Sequence, residues 1–139
     1  MLNIIFLVLF AMAFFACNAV ETEPKVVLGR EWNNTAKVVA DTASQFKSND
    51  VIVILMDNGK PFPATEVELR VYQGVSGDRV LFKRSQVVKN KDTKAAIKGP
   101  DSKPLTVKDI LRTSTPGTYR IAMAIGDSIL AEKQLELVK

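Results

Sequence analysis

Histidine is missing from all 139 residues, and cysteine occurs once, at Cys17. Without His, the commonest general base and the commonest metal ligand are lost together. A Ser-His-Asp or Cys-His nucleophile is excluded with them. One Cys allows no intramolecular disulfide. The seven glycines are scattered and build no phosphate-cradling loop. Asp50, Asp57 and Asp127 lack the dense, spaced pattern of a calcium loop. Ser76, Ser85, Ser102, Ser114 and Ser128 sit in no recognisable nucleophile motif. Of the carboxylate pairs, Glu66/Glu68 shares a strand face with Arg70 and reads as a solvated, self-compensated surface; Glu132/Glu136 is the other. No metal, no cofactor and no catalytic residue is expected, so the chain is not expected to be an enzyme.

A long hydrophobic run is also lacking. Ile4 to Ala16 gives thirteen consecutive apolar residues, short of the ~20 that a membrane-spanning helix needs. That length suits the apolar region of a secretory signal peptide, with small residues following it. No Lys or Arg precedes the run, so only the α-amino group supplies positive charge there. Phe14-Phe15-Ala16-Cys17 resembles the lipobox of bacterial lipoproteins, with Phe14 where Leu is usual and Ala16 as the small residue before the Cys. The resemblance implies lipidation of Cys17, which then becomes the mature N-terminus. Acylation would remove a free thiol from an oxidising compartment, and several acyl chains at about 0.8 kcal/mol per buried methylene hold a protein on a membrane. Cleavage after Ala19 and an uncleaved N-terminal anchor are the alternatives. The implied location is the cell envelope, as a membrane-anchored lipoprotein. Asn18 in place of Asp leans towards the outer membrane.

The expected organisation is a signal peptide over residues 1–16, a lipidated Cys and tether over 17–32, and one domain over 33–139. Roughly 120 residues after the leader suffice for one core. Period-two patterning dominates that stretch. Val38-Val39 is a candidate first strand. Asp50 to Met56 is a near-continuous apolar run and reads as a strand buried on both faces. Asp57-Asn58-Gly59-Lys60-Pro61 is a turn signal with Gly59 at its centre. In Glu66 to Gln73, Val67, Leu69 and Val71 alternate with polar residues. Arg79 to Lys89 suggests one or two strands, Asn90 to Lys103 a long exposed loop, and Thr106 to Leu111 a single helical turn. Thr118 to Ile125 and Ile129 to Val138 form a hairpin. A three-residue turn with Gly126 or Asp127 at positive φ would oppose Ile125 to Ile129, Met123 to Ala131 and Tyr119 to Leu135, leaving Lys133 as the misfit.

The stretch VIVILMDNGKPFPATEVELRV resembles the strand, turn and strand of bacterial immunoglobulin-like domains. The helical turn, Pro116-Gly117 and Tyr119 resemble the approach to a late strand of that fold, where the Tyr hydroxyl bonds back to the main chain. The resemblance implies an all-β, antiparallel sandwich of about seven strands and no chemistry.

Charge is uneven. Between Asp78 and Lys103 stand eight basic residues (Arg79, Lys83, Arg84, Lys89, Lys91, Lys94, Lys98 and Lys103) against three acidic ones, in a chain of net +4. This segment can meet an anionic surface, or it is a solvated, lysine-guarded edge. Nucleic acid is not expected, since Phe82 is the only aromatic within the run. The expected function is a non-catalytic binding or scaffolding lipoprotein, attached to the membrane through its lipid, with another envelope protein as partner. Electrostatic binding of an anionic envelope polymer or lipid through residues 79–103 is the alternative.

Overall fold

A computed structural model describes residues 21–99 and 103–139. The apolar leader, Cys17 and the lipobox lie outside the described residues. The described chain forms β1 (Lys25–Asn33), β2 (Val38–Thr42), β3 (Gln45–Phe46), β4 (Val53–Asp57), β5 (Glu66–Gln73), β6 (Val80–Val87), β7 (Lys94–Ile97), α1 (Val107–Leu111), β8 (Gly117–Ile125) and β9 (Ser128–Leu137). Two sheets result, ordered β2-β1-β4-β7 and β3-β9-β8-β5-β6. Pairing is antiparallel except for β3, which runs parallel to β9.

The core lies between the sheets. Val26 and Leu28 of β1, Ile54 and Met56 of β4, Val67, Leu69 and Val71 of β5, and Tyr119, Ile121 and Met123 of β8 are all buried there. Alternation along each strand puts these residues on one face of its sheet. β4 is buried along its whole length because its other face carries a second apolar cluster, Val39, Val53 and Leu55 with Val27, Trp32 and Ala96. The expectation of a strand buried on both faces is met through that cluster. Helix α1 seals one end of the sandwich with Val107, Ile110 and Leu111. Its Asp109 carboxylate accepts from the Thr106 hydroxyl at 2.6 Å and the Thr106 backbone N–H at 3.0 Å. Those bonds hold the Asp109 carboxyl below its ordinary pKa.

Four expectations are corrected. The first strand is Lys25–Asn33, which the boundaries above placed mostly in the tether; it pairs with both β2 and β4. Its exposed residues at Lys25, Glu31 and Asn33 masked the pattern, since only Val26, Leu28 and Gly29 are fully buried. The strand count is nine among the described residues. The supposed loop over Asn90 to Lys103 contains β7, whose Ala95 and Ile97 close the core beside β4. The β8–β9 turn has two residues: Ile125 faces Ser128, and a bulge next to Met123 then restores Met123 opposite Ala131 and Tyr119 opposite Leu135. A bulge adds one residue to one strand and so does the work of the third turn residue. Lys133 faces Ile121 and remains exposed at the opening between β1 and β9.

The registers define two ends. Lys25 pairs with Asp57 and Asp57 with Lys94, so the start of β1, the end of β4 and the start of β7 lie together. The turn around Gly59 (φ +71°) is there, and the Thr22 N–H donates to the Gly59 carbonyl at 3.2 Å. The Gly126 turn (φ +57°) is also there, since the Arg70 guanidinium donates to its carbonyl. We call this the near end. The turn after β1, the loop between β5 and β6, helix α1 and the residues Lys98, Gly99 and Lys103 to Leu105 lie towards the far end.

Candidate functional site

The basic residues singled out above do not form one patch. Lys89, Lys91 and Lys94 flank the near-end loop, where the Asp92 carboxylate accepts the Lys89 N–H at 2.8 Å. Lys83 and Arg84 sit midway along β6 and point to opposite faces, because Lys83 pairs with Arg70 and Arg84 with Leu69. Arg79 lies at the far end, in a cavity shared with Arg112, whose guanidinium stands 5.3 Å from the Phe82 ring centre. Lys98 follows β7, and its carbonyl accepts from Arg84 at 3.3 Å. The near-end loop after β6 and the return of β7 split a continuous stretch of sequence over the length of the molecule. β6 and β7 nonetheless end their sheets at the same margin, each with one backbone edge that is unpaired among the described residues.

Lys98 belongs to a site that the sequence reading missed. A cavity of about 380 Å³ is lined by Arg30, Trp32, Val51, Ile52, Val53, Lys98, Gly99, Lys103, Pro104 and Leu105. β1 carries Arg30 and Trp32 to it, β4 forms its floor, and the chain after β7 supplies the lysines. Lys98 Nζ lies 5.2 Å from the centre of the Trp32 ring, within cation–π range. Arg30 is already compensated: it lies 3.7 Å from the Asp50 carboxylate and 3.8 Å from that of Asp41, donates to the Gln45 carbonyl at 2.9 Å, and stacks 4.9 Å from the Phe46 ring centre. Lys98 and Lys103 have no ion-pair partner among the described residues. The Trp32 Nε1–H is buried and lacks a hydrogen-bond partner among the described residues. The signal available in the sequence was the sole Trp two residues from an Arg, at positions counted as tether.

The other singled-out side chains are structural. Tyr119 is 1% exposed, and its hydroxyl donates to the Thr115 carbonyl at 2.6 Å, four residues upstream. Glu68 bonds the Arg70 guanidinium and raises its pKa. Arg70 pairs across the sheet with Ala122, which, with Ala124, is fully buried on the solvent side of β8. Arg120 donates to the Val75 carbonyl at 3.2 Å and to that of Gly77, and stacks 4.9 Å from the Tyr72 ring centre, so it ties the loop after β5 to β8.

No family model and no curated protein matches the chain. Among solved structures, the chain is similar to an immunoglobulin-like protein from Pseudomonas aeruginosa, with a TM-score of 0.50 and 14% identity over 86% of this chain and 99% of that one. The fold is an immunoglobulin-like β-sandwich. At that identity the likeness concerns the fold alone.

Proposed function

We propose that the chain is a non-catalytic binding or scaffolding module of the bacterial cell envelope, anchored through lipid on Cys17, with another envelope protein as its partner. The immunoglobulin-like fold is consistent with a binding module. The observation that carries the reading is the separation of the two ends. The chain arrives from the Cys17 side at Thr22, which is bonded to the turn at Gly59. Only four residues then separate Cys17 from Thr22, a reach of about 18 Å at full extension. The near end therefore faces the membrane, and the β6–β7 margin and the far end face outward. Two strand edges at one margin, unpaired among the described residues, suit the addition of an extended partner segment, and Lys83 and Arg84 bias that segment towards acidic sequence.

Two measurements test this. Intact mass of membrane-extracted protein should give a mature chain beginning at Cys17 and carrying acyl groups; a chain beginning at Val20 or retaining residues 1–16 overturns the anchor. A photo-crosslinker at Lys83 should capture a discrete envelope protein that one at Glu136, on the opposite margin, does not. Equal yields at both positions overturn the margin as the docking surface.

The second reading, an electrostatic binder of anionic envelope polymer or lipid through residues 79–103, is favoured by Lys98 and Lys103, which have no ion-pair partner among the described residues. It predicts association that weakens steeply with ionic strength. Lys98→Gln should weaken it, while Lys89→Gln and Lys91→Gln, at the other end, should not.

A further inference from the structure

We infer that the cavity between Trp32, Lys98 and Lys103 binds a sugar unit bearing an oxyanion, a carboxylate or a phosphate. This goes beyond the module reading and stands whether or not Cys17 carries lipid. Size comes first: about 380 Å³ is near the lower end of small-molecule cavities, which run from about 300 to 1,000 Å³. It has room for a sugar ring. Charge comes second. Arg30 is compensated by Asp41 and Asp50, so it forms wall and adds no unpaired charge. The ammonium groups of Lys98 and Lys103 supply the charge that an anion would meet.

Shape and polarity then favour a sugar over a bare ion. Trp32 gives a flat aromatic surface, and Val53, Pro104 and Leu105 add apolar lining. The C–H face of a pyranose packs on such a surface, while its hydroxyls need donors and acceptors around the rim. A bare oxyanion would leave the apolar wall unused. Lys98 stands 5.2 Å from the centre of that indole ring, so an oxyanion on a sugar stacked there comes within reach of its ammonium group. The cavity also lies away from Thr22, so an anchored protein would present it to the envelope space and not to its own bilayer.

The experiment uses the fact that Trp32 is the only tryptophan, so intrinsic fluorescence reports this site directly. The full mature chain is titrated at low salt with glucuronate, glucose 6-phosphate, glucose and inorganic phosphate. A saturable emission change is expected with glucuronate or glucose 6-phosphate, at least about tenfold tighter than with glucose or phosphate alone. The two acidic sugars separate a carboxylate source from a phosphate source. Lys98→Gln and Lys103→Gln, both at exposed positions, should each weaken binding about tenfold with an unchanged circular dichroism spectrum. Trp32→Phe keeps an aromatic face but removes part of the stacking area, and should weaken binding several-fold by calorimetry. No saturable response to either acidic sugar overturns the inference. Equal affinity for inorganic phosphate shows an adventitious ion only and also overturns it, as does wild-type affinity in both lysine variants. Loss of crosslinking at Lys83 with sugar binding intact would refute the docking margin and leave this site standing.

Discussion

Removing one oxygen from Tyr119 tests the packing of the far end. Tyr119→Phe deletes the hydroxyl that donates to Thr115 at 2.6 Å and leaves a ring of the same shape in a site that is 1% exposed. No cavity forms, so the cost is the hydrogen bond alone. The Thr115 side is solvent-exposed, so its carbonyl regains water after the substitution. The loss therefore lies near the middle of the ~0.5–1.5 kcal/mol net value of a hydrogen bond, about 1 kcal/mol, and not at the penalty for a stranded buried group. For a domain of this size, 1 kcal/mol corresponds to a fall in Tm of about 4 °C. Tyr119→Ala removes the whole ring and should cost about 3–5 kcal/mol. Thermal and urea unfolding followed by circular dichroism give both values, with equal urea m-values expected for wild type and Tyr119→Phe. A Tyr119→Phe variant within about 1 °C of wild type would refute the role of the hydroxyl. One as unstable as Tyr119→Ala would show that the ring is not held as described.

Four further outcomes are expected. Gly29→Ala places a Cβ 2.3 Å from Val39 Cγ1 and 2.6 Å from the Ala40 carbonyl oxygen, and overpacking of this kind should lower stability by about 2 kcal/mol. Because the carbonyl belongs to the paired strand, adding Val39→Ala should restore only part of the urea midpoint. Asp109→Ala removes the acceptor for both Thr106 donors and should cost about 1 kcal/mol at neutral pH. The folded-state carboxyl titrates below its ordinary value, so the unfolded chain takes up the proton first as pH falls. The stabilisation by Asp109 is thus present above about pH 4 and disappears below it. Wild type and Asp109→Ala should converge in stability in that acid range, and a constant difference down to pH 2 would exclude this account.

The parts of the fold that were legible in the sequence are those where one face is buried and the other solvated. β5 alternates Val67, Leu69 and Val71 with charged residues, and β8 places Tyr119, Ile121 and Met123 on the core side. Both read directly, because strand periodicity maps one residue in two onto the core. β4 read as buried on both faces from composition alone, although the cluster that covers its outer side was not foreseen. β1 and β7 did not read. β7 has four residues, two of them alanine, set between lysines; nothing within so short a segment separates an edge strand from a polar loop.

Local chemistry in the chain determined the turns, the helical turn capped by Thr106, the alternating strands and the sandwich they imply, since each depends on neighbours within a few residues. Sequence also determined that the basic residues cluster in one stretch, but not where they end up. That was decided by the β6–loop–β7 path, which carries Lys89 and Lys94 to one end and Lys98 towards the other. The meeting of Trp32 with Lys98 across 66 positions likewise belongs to the tertiary structure. It exists only because β1 and β7 both pack on β4, and no local pattern encodes which strands share a neighbour.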